Sequence, residues 1–344
     1  MNSMNDVKLD FSDVLLVPQE TRVESRSQVN LVTTIQGVHG ASITGIPILA
    51  ANMMGVGTIA MCEALGRHKI YTAIEKTVPV STWLNTGRNT NLSYAFVTVG
   101  MQEGELFKLA ALKNSGIFSN MKIVVDVANG HMVKFVEFVS RVRDTWPDAF
   151  ILAGTVCTPE ACNKLIIAGA DLARVGIGTG AVCTTRMVAG TGYPQLSAIR
   201  ECSRIEVGPY FDSKKLPIVC DGGCYHPGDF AKAFAAGAQM VMAGSVFAGH
   251  AEGGIQPVDG MVEFRGNAAL PEPAPDGQTY RSSEGRIVKI PFKGSVNATV
   301  EHILGGLRSA CSYSNALSLP ELSKNAKFIR VNNQLNTVIE RYTI

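Results

Sequence analysis

From about residue 45 onward, short uninterrupted apolar runs rich in β-branched residues recur along the chain, at 47–51, 71–74, 95–99, 123–127, 150–156, 172–177, 217–220 and 240–243. Runs without polar alternation belong to strands buried on both faces, the situation of parallel strands covered by crossover helices. Helical spacing fills the gaps between them. Val133, Phe135, Val136, Phe138, Val139 and Val142 return every three or four positions, as do the apolar residues of 159–167. Eight strand–helix units in about 200 to 250 residues predict an α/β fold closed into a (β/α)8 TIM barrel rather than an open doubly wound sheet. Ala168-Gly169-Ala170 and Ala236-Gly237-Ala238 echo each other between a helix and a strand, with a glycine where each helix should end.

Outside this rhythm the chain reads differently. Residues 1–45 form an irregular leading segment in which 10–18 is apolar enough to pack on the core, and 249–296, rich in Gly, Pro and charge, is a flap-like excursion from the barrel. Helical spacing resumes at 300–310, and 317–344 is a tail. The expectation is a single barrel domain over 1–344 with no inserted regulatory domain.

Composition narrows the function. With 46% hydrophobic and 17% charged residues among 344, the chain can bury a large core. A formal net charge of +2 without a basic block gives no case for nucleic acid or a membrane surface, so a small-molecule substrate is expected. The amino terminus lacks the basic and apolar regions of a signal peptide and no stretch is apolar enough to span a bilayer, so a cytoplasmic protein is expected. Eight scattered cysteines, without paired Cys-x-x-Cys spacing, read as free thiols.

Barrels place reactive groups at the carboxyl ends of their strands. Asp126 and Asn129, Thr155 and Cys157, Cys183 and Thr185, Asp221 with Gly222 and Gly223, and Gly244 with Ser245 fall there. Cys183 follows Gly176, Gly178 and Gly180, a turn that lets a ligand approach the backbone, so it is a nucleophile candidate. The plainer reading is a small buried residue after a glycine-rich loop. Gly222-Gly223 and Gly244-Ser245 suit a phosphate held by backbone N–H groups, and ionised Asp221 can accept two ribose hydroxyls. Ordinary β-to-α turns are the alternative. No GxGxxG follows the first strand, which removes a Rossmann mode of cofactor binding.

Several stretches resemble the IMP dehydrogenase and GMP reductase family along nearly the whole chain. Gly178-Thr-Gly-Ala-Val-Cys-Thr-Thr-Arg186 is similar to its catalytic cysteine loop. Thr191-Gly-Tyr-Pro-Gln-Leu-Ser-Ala198, Asp221-Gly-Gly-Cys224 and Phe328-Ile-Arg-Val331 resemble the reductase branch in particular, as do Val125-Asp-Val-Ala-Asn-Gly130, Arg281-Ser-Ser-Glu-Gly285 and Ile303-Leu-Gly-Gly-Leu-Arg-Ser309. There is no room for the dehydrogenase's inserted module, and 269–284 is too short for its catalytic flap.

The resemblance implies NADPH-dependent reductive deamination of GMP through a covalent intermediate on Cys183, with Thr185 and Glu284 moving the proton to the departing amine. It implies substrate contacts at Asp221, Gly222, Gly223, Gly244, Ser245, Arg265, Gly266, Arg281, Ser283 and Gly285. Cofactor contacts are implied at Lys76, Asp126, Val127, Ala128, Tyr280, Arg281, Ser309 and Ser312, with Ser25 and Arg26 donated by a neighbouring subunit of a homotetramer. Gly178, Gly180 and Cys183 match a potassium (K+) site.

The chain also departs from the family. Ala181 stands where a phosphate-binding serine is usual, Phe264-Arg-Gly-Asn-Ala-Ala269 where the reductase has Tyr-Gly-Met-Ser-Ser, Asn52-Met-Met-Gly-Val56 for Asn-Met-Asp-Thr-Val, and Glu75-Lys-Thr77 for His-Lys-His. Each lost hydroxyl weakens an anion site by about 1 to 3 kcal/mol. Gly244-Ser245 and the cation of Arg265 offset part of that. Two alternatives therefore stay open: an oxidoreductase of this family acting on another purine nucleoside, nucleotide or modified base, and a non-catalytic purine-binding relative.

Overall fold

The computed structural model describes residues 6–87, 90–118, 120–204, 216–269 and 282–332. Its strands are β1 (Val14–Val17), β2 (Thr33–Gln36), β3 (Ser42–Ala50), β4 (Ile70–Ile74), β5 (Ala95–Val99), β6 (Lys122–Asp126), β7 (Phe150–Val156), β8 (Leu172–Val175), β9 (Ile218–Asp221), β10 (Met240–Ala243), β11 (Met261–Arg265), β12 (Ile287–Pro291) and β13 (Lys327–Arg330). Strands β3 to β10 pair in order, all parallel, and β10 pairs with β3, so the sheet closes. The eight runs of the sequence pattern are these strands, displaced by a few residues at most.

Helices α1 (Ile59–Arg67), α2 (Val80–Gly87), α3 (Glu103–Asn114), α4 (Val133–Thr145), α5 (Pro159–Ile167), α6 (Thr185–Val188), α7 (Gln195–Arg204), α8 (Pro227–Ala236), α9 (Asn297–Tyr313) and α10 (Leu319–Asn325) complete the chain. Their ends follow local chemistry. Thr158 caps α5 by accepting from Ala161 N–H, with Pro159 at the first helical position. Gly237 closes α8 at φ +114°, the left-handed conformation expected of a glycine at a helix end.

Period-two alternation sorts each barrel strand into an inner and an outer face. Tyr71, Phe96, Val124, Phe150, Leu152, Leu172, Val219, Met240 and Met242 fill the barrel's interior, while their neighbours pack outward beneath the helices. Tyr71, Phe96 and Phe150 meet edge-on inside, with ring centroids 5.7 and 6.3 Å apart. The interior is therefore a solid core, and a ligand has access only at its ends. Following the inward parity one step toward the carboxyl ends brings Thr98, Asp126, Arg174 and Asp221, so the apolar stack ends in a polar layer.

Three segments differ from the sequence pattern. The leading segment is more regular than expected: β2 forms an antiparallel hairpin with β3, and β1 pairs with β13 from the tail. The tail also forms α10. Inside the 249–296 excursion, β11 and β12 make an antiparallel ribbon in register from Met261↔Pro291 to Arg265↔Ile287. This ribbon carries 266–269 and 284–286 back against the turn after β8.

Candidate active site

Cys183 sits at the tip of the turn after β8, and only Gly178 there has a clearly left-handed backbone, at φ +76°. The thiol is half-buried and its Sγ lies 3.2 Å from Thr185 Oγ1, the first residue of α6. Backbone hydrogen bonds hold the loop against the base of the ribbon. Cys183 forms an antiparallel bridge with Gly285, Thr184 N–H donates to the Glu284 carbonyl at 2.9 Å, and Arg286 N–H donates to the Val182 carbonyl at 2.8 Å. Glu284 is thus in register beside the nucleophile loop. A third ply, 266–269, accepts Glu284 N–H on Ala268 O at 3.3 Å, and Gly266 N–H donates to Arg286 O at 3.0 Å.

The turn after β9 packs against this loop. Gly222 and Gly223 are both left-handed, at φ +84° and +80°, and Thr179 Oγ1 donates to the Asp221 carbonyl at 2.9 Å. An anion in this turn would meet Gly223 N–H. Gly244 and Ser245 follow β10, where Gly222 N–H reaches Met242 O at 3.1 Å. A Cβ on Gly244 would lie 2.6 Å from Met53 Sδ, so a side chain there would have to displace that methionine.

Arg174, not singled out in the sequence, links the barrel's two acids. Its Nη1 donates to Asp126 Oδ1 at 2.7 Å and its Nη2 to Asp221 Oδ2 at 2.8 Å, and the residue is 3% exposed. Burial works against the guanidinium's charge, but the fields of Asp221 and Asp126 outweigh it and hold the pKa above its ordinary value. Burial pushes the Asp221 carboxyl up from its ordinary value of 3.8, and Arg174 only partly opposes this. Arg174 Nε, Asn52 Nδ2 and Thr98 Oγ1 are buried and meet no partner among the described residues. The mouth therefore still has polar valence for a ligand.

The remaining expected positions fall into separate places. Lys76 lies in the turn after β4, whose carbonyl accepts from Lys108 Nζ at 2.7 Å, and Val127 N–H pairs with Gly154 O at 2.9 Å, so Asp126, Val127 and Ala128 edge the same mouth. Ser309 and Ser312 lie on α9 and donate to helix carbonyls at 3.0 and 2.8 Å. Ser25 and Arg26 occupy a 3-10 turn packed on that helix, outside the barrel. Ser283 Oγ donates to Gly285 O at 2.8 Å, and Arg265 Nη2 donates to Ala269 O at 3.1 Å. The Gly180 carbonyl accepts Cys183 N–H at 3.1 Å, within the same loop as Gly178. Tyr280 and Arg281 lie outside the described residues.

A cleft of about 470 Å³ opens beside the nucleophile loop, between Ala181, Cys183, Gly223, Tyr225 and Arg286. A larger one, about 670 Å³, lies between Ile35, Phe234 and Leu319 at the barrel's amino end, and Lys324 is the one ionisable side chain among its described walls. Chemistry places the site at the first. Among the described residues there is no group of three or more His, Cys, Asp or Glu able to hold a metal ion, and no helix long and apolar enough to cross a membrane.

Comparison with known proteins agrees with this geometry. The profile of the IMP dehydrogenase / GMP reductase domain matches residues 8–337. GMP reductase of Vibrio campbellii is 42% identical over 352 residues, covering 98% of this chain and 99% of that protein. GMP reductase of Caenorhabditis elegans is 42% identical over 348 residues, covering 96% and 94%. The crystal structure of a Trypanosoma brucei GMP reductase variant in complex with guanosine 5′-monophosphate superposes with a TM-score of 0.82 at 22% identity, over 96% of this chain and 97% of that one, and shares the barrel. With the family profile matched over 8–337 and relatives alike over nearly the whole chain, the chain belongs to the IMP dehydrogenase / GMP reductase family.

Proposed function

We propose that the chain catalyses reductive deamination of GMP: GMP + NADPH + H+ gives IMP + NADP+ + NH3. The observation that carries the reading is the 3.2 Å contact between Cys183 Sγ and Thr185 Oγ1, in a loop that backbone pairing sets beside Glu284. Cys183 gives up its proton and attacks C2 of the purine, forming a C–S bond, and the C2–N bond breaks as ammonia leaves. Thr185 and Glu284 carry the proton to the departing amine. When bound, NADPH would supply the hydride that replaces sulfur at C2, releasing Cys183 as the thiolate. Asp221 accepts the ribose hydroxyls, and the N–H groups of Gly223 and Gly244 with Ser245 face the phosphate, Gly222 N–H being committed to Met242 O.

The mouth fits the nicotinamide end of the cofactor: Asp126, Val127, Ala128 and Lys76 edge it, and Arg174 fixes the Asp126 carboxylate. Ser25, Arg26, Ser309 and Ser312 lie apart from that edge, which accords with a site completed by a neighbouring subunit in a cytoplasmic homotetramer. The carbonyls of Gly178, Gly180 and Cys183 would hold K+. Residues 1–344 act as one barrel domain, with the ribbon as its flap.

A second reading keeps the chemistry and changes the substrate. Ala181, Ala268 and Ala269 offer no hydroxyl, Phe264 is buried, and the described bond of Arg265 goes to Ala269 O rather than toward the Gly222-Gly223 turn. A purine without a 5′-phosphate would lose little here. NADPH consumption with GMP, guanosine and their 2-amino relatives as substrates decides the matter. GMP is expected to be turned over, and turnover of guanosine with GMP inert would select the second reading.

A further inference from the structure

Gln195, the first residue of α7, is 1% exposed, although an amide of this size usually reaches water. Its Nε2 donates to the Val175 carbonyl at 2.8 Å and to the Asp221 carbonyl at 3.2 Å, and lies 3.4 Å from Cys220 Sγ. Val175 ends β8, just before the nucleophile turn, and Asp221 ends β9. One amide thus spans the two strand ends that carry the nucleophile and the sugar acid. Two carbonyl oxygens can be met only by the NH2 group, so chemistry fixes which way the amide points. Its Oε1 is buried without a partner among the described residues. Packing alone does not account for a glutamine, because methionine would fill the volume without burying an orphan acceptor.

The amide is locked from behind. Gln195 N–H donates to Asp10 Oδ1 at 2.5 Å, and Asp10 Oδ2 accepts from Arg186 Nη1 at 3.0 Å. Arg186 follows Cys183 by three positions, and its Nη2 donates to the Tyr193 carbonyl at 2.8 Å. The Arg186 stem runs over Gly178 and Gly192, where a Cβ would lie 2.7 and 2.8 Å from its Cγ. Gly176 completes the fit: a Cβ there would collide with the Asp221 carbonyl and come 3.1 Å from Gln195 Nε2. The glycines let the turn and the end of β9 approach within reach of a single amide.

We propose that Gln195 is a positioning residue that sets the separation between the Cys183 turn and the Asp221 strand end, so that a purine nucleotide held by its sugar presents C2 to the thiol. The proposal rests on the reductase reading above. Gln195 touches neither substrate nor cofactor and acts through two backbone carbonyls.

The test uses the full chain with Gln195→Met, Gln195→Glu and Asp10→Asn. Gln195→Met should lower kcat about 10- to 100-fold and move KM for GMP less than about threefold, as expected for a misplacement near 1 Å with the binding groups intact. A carboxyl buried at this position takes up a proton as the pH falls and regains a donor, so kcat of Gln195→Glu should recover toward acid while that of Gln195→Met does not. Alkylation of Cys183 by iodoacetamide, followed by the mass of the proteolytic peptide that carries Cys183, reads the loop without substrate and should quicken at least about threefold in Gln195→Met as the loop loosens. If wild type is inert on GMP, the reductase reading fails, and the alkylation rates still decide the positioning role. Should both Gln195 variants misfold, Asp10→Asn, which keeps an acceptor for Gln195 N–H but takes away the carboxylate oxygen that holds Arg186, must reduce kcat or quicken alkylation. The proposal is overturned if Gln195→Met keeps its alkylation rate within about twofold of wild type, if the two Gln195 variants share one pH profile, or if Asp10→Asn changes nothing.

Discussion

The guanidinium of Arg174 lies between two carboxylates at a depth where each charge alone would be costly, and each is tolerable because of the others. Arg174→Met leaves Asp126 and Asp221 facing each other without a counter-charge, and should cost about 3 to 5 kcal/mol of stability, measured by denaturant unfolding. Asp221 gives a pH signature. Its folded pKa is raised above 3.8, so the folded state holds the proton more tightly than the unfolded chain, and its contribution to stability is present below 3.8 and lost as pH rises through the raised value. In the proposed site sugar binding runs the other way, since the carboxylate would be the acceptor. KM for GMP should therefore climb on acidification at a pH above the ordinary aspartate range, and a midpoint at or below 3.8 would contradict this. Cys183, Thr185 and Asp221 were legible in the sequence because glycines and polar residues at the ends of apolar runs mark a barrel's mouth. Arg174 was not, because one inward charge inside an apolar run leaves the run reading as a strand. Its signal was parity: it alternates with the inward Leu172. Gln195 was beyond reach, since its partners Asp10 and Asp221 adjoin it only after folding.

At the scale of elements, the β11–β12 ribbon positions Glu284, because 284–286 lies between the cysteine loop and the 266–269 ply. Gly285 is the closest point of that sandwich, and a Cβ there would stand 2.7 Å from Ala269 N. Gly285→Ala must push the plies apart. It should lower kcat by about 10- to 100-fold through misplacement of Glu284 and Cys183, while the melting temperature changes little because the barrel's core is untouched. A loss of melting temperature in step with activity would assign the ribbon to stability instead. The barrel strands were legible within a few residues, since burial on both faces leaves continuous apolar runs. Strands β1 and β13 were not, because each is 4 residues long and finds its partner at the other end of the chain. The ribbon was hidden for another reason: the Gly, Pro and charge around it dominate the composition, although Met261–Arg265 buries alternate residues, Val262 and Phe264.

For the whole molecule, the closed barrel makes one end of a solid core the natural place for chemistry, and nine-tenths or more of the chain aligns with the reductases it resembles. Within the proposed site, Ala181, Ala268 and Ala269 make the nucleotide's phosphate the point at which a different substrate would be accepted. The proposed mechanism rests on Cys183. A rapid-quench experiment mixing the protein with GMP and NADPH, in wild-type and Cys183→Ala forms, measures NADPH consumed, ammonia released and IMP formed. The expected result is equal amounts of all three in wild type and none in Cys183→Ala. Equal turnover by the two forms, or a folded wild type that binds GMP yet consumes no NADPH, would contradict the account.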